Sequence, residues 1–172
     1  MAVVVLVLPQ GVLVLGATNL PWALDPAVRR RFERRIYIPL PDTPARLALL
    51  RIHLGKTPHT LDGAALEAVA RRCDGLSGAD INVLVRDALM EPVREMQAAQ
   101  HFAEDASGNC YPVAPTARGA KRMTLMDVPA AKLALPVVTA AHFERALGAV
   151  RPTVGADDIA KHLQFSSEFG SG

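Results

Sequence analysis

No charged residue occurs from Met1 to Leu24, and five arginines follow between Arg29 and Arg35. A stretch this long without charge leaves two physical options. It is a membrane span with a basic stop-transfer flank, or it is strand buried inside a sheet. Pro9-Gln10-Gly11 cuts the run in two, and Thr18-Asn19-Leu20-Pro21 closes it with a polar turn. No positive region precedes Ala2–Leu8, which argues against a secretion signal. The break favours two short buried strands, with the span as the alternative. Gly11–Ala17 (GVLVLGA) is apolar on both faces, the pattern of a central parallel strand.

Composition narrows the class. Of 172 residues, 50% are hydrophobic and 21% charged, enough apolar content for a core and too much for a disordered tail. Aromatics at 5% argue against a stacking platform for single-stranded nucleic acid, and a net charge of +2 against a general polyanion binder. Cys73 and Cys110 offer neither zinc spacing nor a disulfide framework, which fits a reducing compartment.

Beyond the first strand, the sequence predicts a short helix near Asp25–Arg31 and a strand over Arg35–Ile38, stopped by Pro39-Leu40-Pro41-Asp42. That proline pair is the best domain boundary. Thr43 is the expected cap of a helix running to Leu54 and ending at Gly55. Asp62 caps a second helix, with Leu66, Val69, Ala70 and Cys73 on one face. Ser77 and Asp80 have capping-box spacing for a third, whose stripe is Ile81, Leu84, Val85, Ala88 and Leu89. Pro92 is expected to kink or end it within a turn. Ala103–Gly119 reads as loop, with weak strands near Tyr111–Ala114 and Met123–Met126. Thr139 caps a fourth helix, and a last one runs from about Gly155 to Phe169. The fold class is therefore α+β: a piece of α/β sheet, then a small helical bundle with a β-like insert.

Three segments could carry chemistry. Asn19 follows the carboxyl end of a buried strand, where open α/β sheets place ligands, although Asn is also an ordinary turn residue. Arg29-Arg30-Arg31-Phe32-Glu33-Arg34-Arg35 could give positive charge to a transferring phosphoryl group, or be a solvated basic face or a DNA-backbone contact. Gly75-Leu76-Ser77-Gly78-Ala79-Asp80 could let backbone N–H groups approach a nucleotide, or merely cap a helix. The five histidines share no metal-ligand spacing and read as structural; Cys73 reads as core and Cys110 as a loop thiol. These residues contain no G-x-x-x-x-G-K-[ST] and no apolar strand ending in paired acids, so a complete nucleotide-hydrolysing site is not encoded in them.

Taken together, GVLVLGATNLPWALDPAVRRRFERRIYIPLPD resembles the second region of homology of AAA ATPases. The form without Pro-Gly in the arginine motif is similar to the meiotic-clade ATPases of vacuolar protein sorting, which disassemble ESCRT-III filaments. The resemblance continues through HLGKTPHTL, GLSGADINVLVRDALMEPVREMQAAQHF, MTLMDVP and RPTVGADDI. It covers about Gly11 to Gly170; katanin, spastin and fidgetin relatives lack the insert between His101 and Val138. The short insert looks closer to plant-like or protist versions than to animal ones.

The resemblance implies residues 1–42 as the end of an AAA large domain and 43–172 as the small helical lid domain. Within the latter it implies a β insert over about 103–138 and a carboxyl-terminal helix over about 155–169 that packs back on the large domain. Asn19 matches sensor 1, which positions the hydrolytic water, and Arg30 and Arg31 match the paired arginine fingers that reach a neighbouring subunit's ATP. Arg34 is a weaker third contributor. Gly78 and Ala79 match the contact to adenine, with Leu49 and His53 on the adenine–ribose side. The cofactor implied is ATP, magnesium-dependent in the intact family member, with no metal ligand here. The implied partners are full-length subunits in a homo-hexamer, ESCRT-III filaments and an activator at the insert, without nucleic acid. The implied location is cytoplasmic, peripheral at endosomal membranes. In the family the microtubule-interacting and transport domain, P-loop, acidic motif and pore loops lie upstream of the part matched here. The expectation is thus the carboxyl half of the ATPase, inactive alone, or else a non-catalytic module that binds the activator or intact subunits.

Overall fold

The computed structural model describes residues 2–7 and 12–170. In chain order the elements are β1 (Ala2–Val7), β2 (Leu13–Thr18), α1 (Pro26–Arg31), β3 (Arg34–Tyr37), α2 (Thr43–Leu54), α3 (Gly63–Arg72) and α4 (Gly78–Ala98). Then follow β4 (His101–Glu104), β5 (Cys110–Pro112), β6 (Lys121–Arg122), α5 (Ala140–Ala149) and α6 (Ala156–Phe169). They form two compact units. One gathers the residues up to Pro41 with Gly75–Ser77 and the chain from Pro152 on; the other holds Asp42–Asp74 and Gly78–Arg151.

The first unit is built on a three-stranded sheet of order β2-β1-β3, in which β1 is antiparallel to both neighbours. This corrects the expectation of a central parallel strand: β2 lies at the sheet edge and pairs antiparallel. Leu13 and Leu15 are 57% and 63% exposed. Apolar residues on both faces of a strand need cover on both faces, and β2 lacks it, with Val14 exposed as well as the two leucines. The opposite edge differs, because α6 packs against β3. Between β2 and β3, Asp25 caps α1 by accepting from the N–H groups of Ala27 and Val28, at 2.7 and 3.3 Å. Pro26 follows at the first helical position, and Arg29, Arg30 and Arg31 fill the last turn, where cations complement the helix dipole.

In the second unit, α2 packs on α3 and α4, and α4 on α5. Their buried faces meet through Leu50, Leu54, Leu66, Val69, Ala70, Cys73, Ile81, Leu84, Val85, Ala88 and Phe143. Asp42, not Thr43, caps α2: its carboxylate accepts from the Ala45 N–H at 2.9 Å. Thr43 lies inside the first turn, and its hydroxyl accepts from Arg46. Gly55 closes the helix at φ +55°, a conformation that a side chain would strain. Asp62 caps α3 as expected from sequence. Helix α4 does not stop near Pro92 but continues to Ala98. Pro92 is buried, as is Met96 one turn further on, so packing on both sides offsets the lost backbone hydrogen bond.

The insert is a second sheet, order β5-β4-β6, with antiparallel pairing throughout. Phe102, Cys110 and Val128 bury together against Met96. Here the sequence-based expectations hold in part: β5 overlaps the weak strand expected near Tyr111–Ala114. Strand β4 falls where loop was expected to begin, and a 3-10 turn at Leu125–Asp127 replaces the strand expected near Met123–Met126. Cys110 is a core residue of β5, not a loop thiol. Two local devices set the register. Gly108 takes φ +81°, and the Asp105 carboxylate accepts from the N–H groups of Ser107 and Asn109 at 2.8 and 2.9 Å. Those bonds, Asn109 first, hold the Asp105 carboxyl below the usual carboxylate range.

Candidate functional site

Asn19 stands in the bend that follows β2 and is exposed. The turn is fixed from both sides. The Leu20 N–H donates to the Thr18 hydroxyl at 3.0 Å, and Trp22, three residues past Asn19, packs its ring against His162 of α6. His162 is buried between two rings: Trp22 at 5.0 Å between centroids and Tyr37 of β3 at 5.7 Å, nearly parallel. Burial pushes its pKa below the ordinary imidazole value.

The arginine run divides by side-chain fate. Arg29 lies over the Phe169 ring, 5.2 Å from its centroid. Arg35 donates to the Phe169 carbonyl at 2.7 Å and to the Arg29 carbonyl at 3.3 Å. Arg30 and Arg31 are exposed and make no hydrogen bond or ion pair among the described residues. Arg34 is exposed on β3, and Phe32 is half-buried. The arginines are therefore neither one solvated patch nor one packed cluster.

The other candidate residues lie in the second unit. A Cβ placed on Gly78 would meet Leu49 Cδ1 at 3.7 Å, so Leu49 of α2 and the start of α4 are neighbours. His53 is one turn beyond Leu49 on α2 and half-buried; Ala79 is exposed. Gly78 puts no side chain between the start of α4 and Leu49.

Sequence reasoning missed His162, Trp22 and Tyr37 as a cluster. No local signal marks it, because its members come from β3, the turn after β2 and a helix more than a hundred residues away. Among the described residues no three His, Cys, Asp or Glu are grouped to hold a metal ion. No helix among them is long and apolar enough to cross a membrane, and residues 2–7 and 13–18 of the charge-free stretch are strand, not a helical span.

Three family models match in succession. They are the ATPase family associated with various cellular activities (AAA) at residues 6–40, the AAA+ lid domain at 63–105 and the Vps4 C terminal oligomerisation domain at 110–170. Vacuolar protein sorting-associated protein 4A of Homo sapiens is 50% identical over 172 residues, covering 94% of this chain and 39% of its own length. Protein SUPPRESSOR OF K(+) TRANSPORT GROWTH DEFECT 1 of Arabidopsis thaliana is 44% identical over 165 residues, covering 94% and 38%. Whole-chain identity is thus higher to the human relative than to the plant one. The chain spans about two fifths of the length of these relatives. Among solved structures, the FIGL-1 AAA domain aligns with a TM-score of 0.69 and 29% identity, over 91% of this chain and 43% of that one. The same domain in complex with ADP gives 0.67 and 30%, over 91% and 44%. A chain from a crystal structure of Vps4 and Vta1 aligns with 0.57 and 31%, over 65% of this chain and all of that one. The motif that carries Asn19 and the arginines, the helical bundle and the β insert each find their counterpart in this way: the chain belongs to the AAA ATPases, and among them to the Vps4 type.

Proposed function

We propose that the chain works as part of a vacuolar protein sorting ATPase, lending Arg30 and Arg31 to ATP held by a neighbouring subunit. One observation carries this reading. Within a run of five arginines, Arg29 and Arg35 turn onto α6 while Arg30 and Arg31 stay exposed and unpaired among the described residues. A guanidinium kept free of carboxylates is one that can meet a phosphoryl group. Asn19 would orient the attacking water; Leu49, His53, Gly78 and Ala79 would take the adenine–ribose side of a nucleotide. ATP fits these residues only in part, because they offer a small-residue approach at Gly78 beside Leu49 and no phosphate cradle. Hydrolysis by these 172 residues alone is therefore expected to be undetectable. In the cell the chain would join full-length subunits in a hexamer at endosomal membranes and serve ESCRT-III disassembly.

The test adds the purified chain to a full-length Vps4-type ATPase whose own finger arginines are replaced. Restored turnover, lost again with Arg30→Ala and Arg31→Ala, supports the role. Binding without turnover, or no binding, removes it.

A second reading has its own observation. The insert carries its own buried cluster and displays Met126, 91% exposed, at its surface. A non-catalytic module would dock an activator there, and the Vps4–Vta1 structure is consistent with such a partner. Pull-down of an activator by the whole chain, compared with one lacking Ala103–Val138, decides it. Equal capture by both clears the insert of that role.

A further inference from the structure

We propose that Arg35 and His162 are positioning residues, through which α6 sets the arginine helix α1 in a fixed relation to the Asn19 turn. Two facts make one helix responsible for both ends. Midway along its length α6 carries His162, whose ring is held between Trp22, in the turn just after Asn19, and Tyr37 of β3. At its end Phe169 presents a carbonyl to Arg35 and a ring to Arg29.

Arg35 is the decisive joint. The last turns of both α6 and α1 leave carbonyls without helical partners. The planar fork of one guanidinium reaches a carbonyl from each, Phe169 at 2.7 Å and Arg29 at 3.3 Å. Lysine, a point charge on a flexible stem, cannot span the two in one geometry. A helix of six residues has little stability of its own, so its direction comes from such outside contacts. With Arg29 and Arg35 fastened to α6, Arg30 and Arg31 stay exposed beside them. None of these contacts involves the exposed arginines, so the joint can be loosened without touching the groups that would meet phosphate.

Two arms test this. The structural arm does not depend on the function proposed above; the functional arm rests on it. For the first, spin labels are placed at Val28→Cys on α1 and Leu163→Cys on α6, both exposed positions, while Cys73 and Cys110 stay buried and unlabelled. A narrow distance distribution is expected in the otherwise unaltered chain, a broad one with Arg35→Met and an intermediate one with Arg35→Lys. His162→Ala, which removes the ring between Trp22 and Tyr37, should leave that distance alone. It should instead raise the mobility of a label at Leu20→Cys beside Asn19. Unchanged widths and mobility in variants that keep their circular dichroism overturn the proposal. If Arg35→Met fails to fold, the comparison of Arg35→Lys with the parent decides alone. For the second arm, Arg35→Lys added to the finger-deficient ATPase should lower kcat about tenfold at an unchanged half-saturating concentration. A rise in that concentration with kcat intact would make Arg35 an ordinary structural residue. Absence of stimulation by the parent chain would fail the proposed function only, leaving the label distances to judge the joint.

Discussion

Arg46 reaches Asp74 at 2.8 Å from a side chain that is itself only 8% exposed, while its Nε–H donates to the Ala70 carbonyl at 2.9 Å. One buried cation thus ties α2 to the end of α3, and the exposed acid contributes least, because water screens it. Arg46→Ala should destabilise the second unit by about 2–4 kcal/mol, through lost packing and orphaned acceptors. Asp74→Asn should cost less than about 1 kcal/mol. Urea unfolding followed by circular dichroism measures both, and equal losses would contradict this division.

The depressed pKa of His162 makes stability of the first unit depend on pH. The cause is burial, partly opposed by Asp158 and the Asn19 backbone. With the folded value below the unfolded one, the unfolded chain binds the proton first. The stabilisation is complete above the ordinary imidazole value of 6.5 and is lost as pH falls through the lower folded-state value. Melting temperatures at about pH 8 and about pH 5 should differ more for the parent than for His162→Phe. The same drop in both would assign the effect to other groups.

Thiol chemistry offers a third check. Burial pushes the Cys73 thiol up to about 11, against the weaker pull of Arg46 and Arg72, and Cys110 is buried in the insert. Neither thiol should react with a disulfide reagent at neutral pH in the folded chain, and both should react in denaturant. A native thiol modified within minutes would show that its core opens.

At the sheet edge, Leu13 and Leu15 of β2 present an uncharged row of exposed apolar side chains beside unpaired backbone groups. Such an edge is a template for pairing with another chain. Leu15→Lys should reduce light scattering of concentrated solutions while moving stability by less than about 0.5 kcal/mol. Scattering that is unaffected would place self-association elsewhere.

Helices were legible wherever a cap and a 3.6-residue apolar period agreed. Asp62 with Leu66, Val69 and Ala70 is the plain case, and Thr139 preceding the buried Phe143 and Ala146 is another. The insert was poorly legible, because strands of two to four residues carry no usable period. Their placement follows from the Asp105 turn and from Phe102 finding Met96 and Val128. Of the candidate site, the residue types were readable in the arginine run and in the bend at Asn19. Which arginines are free was not, since Arg29, Arg30 and Arg31 are adjacent and chemically identical.

By itself the sequence determined the segments: uncharged strand, arginine helix, capped bundle helices and a final amphipathic helix, each a matter of local spacing and capping. Tertiary structure alone decided that β2 sits at an edge and pairs antiparallel. It alone decided that Pro92 is absorbed within a helix, and that α6 engages Arg35 and Arg29 and sets its His162 between Trp22 and Tyr37. Those outcomes depend on contacts between residues far apart in the chain, and a buried carbonyl or ring leaves no trace in the spacing of its own neighbours.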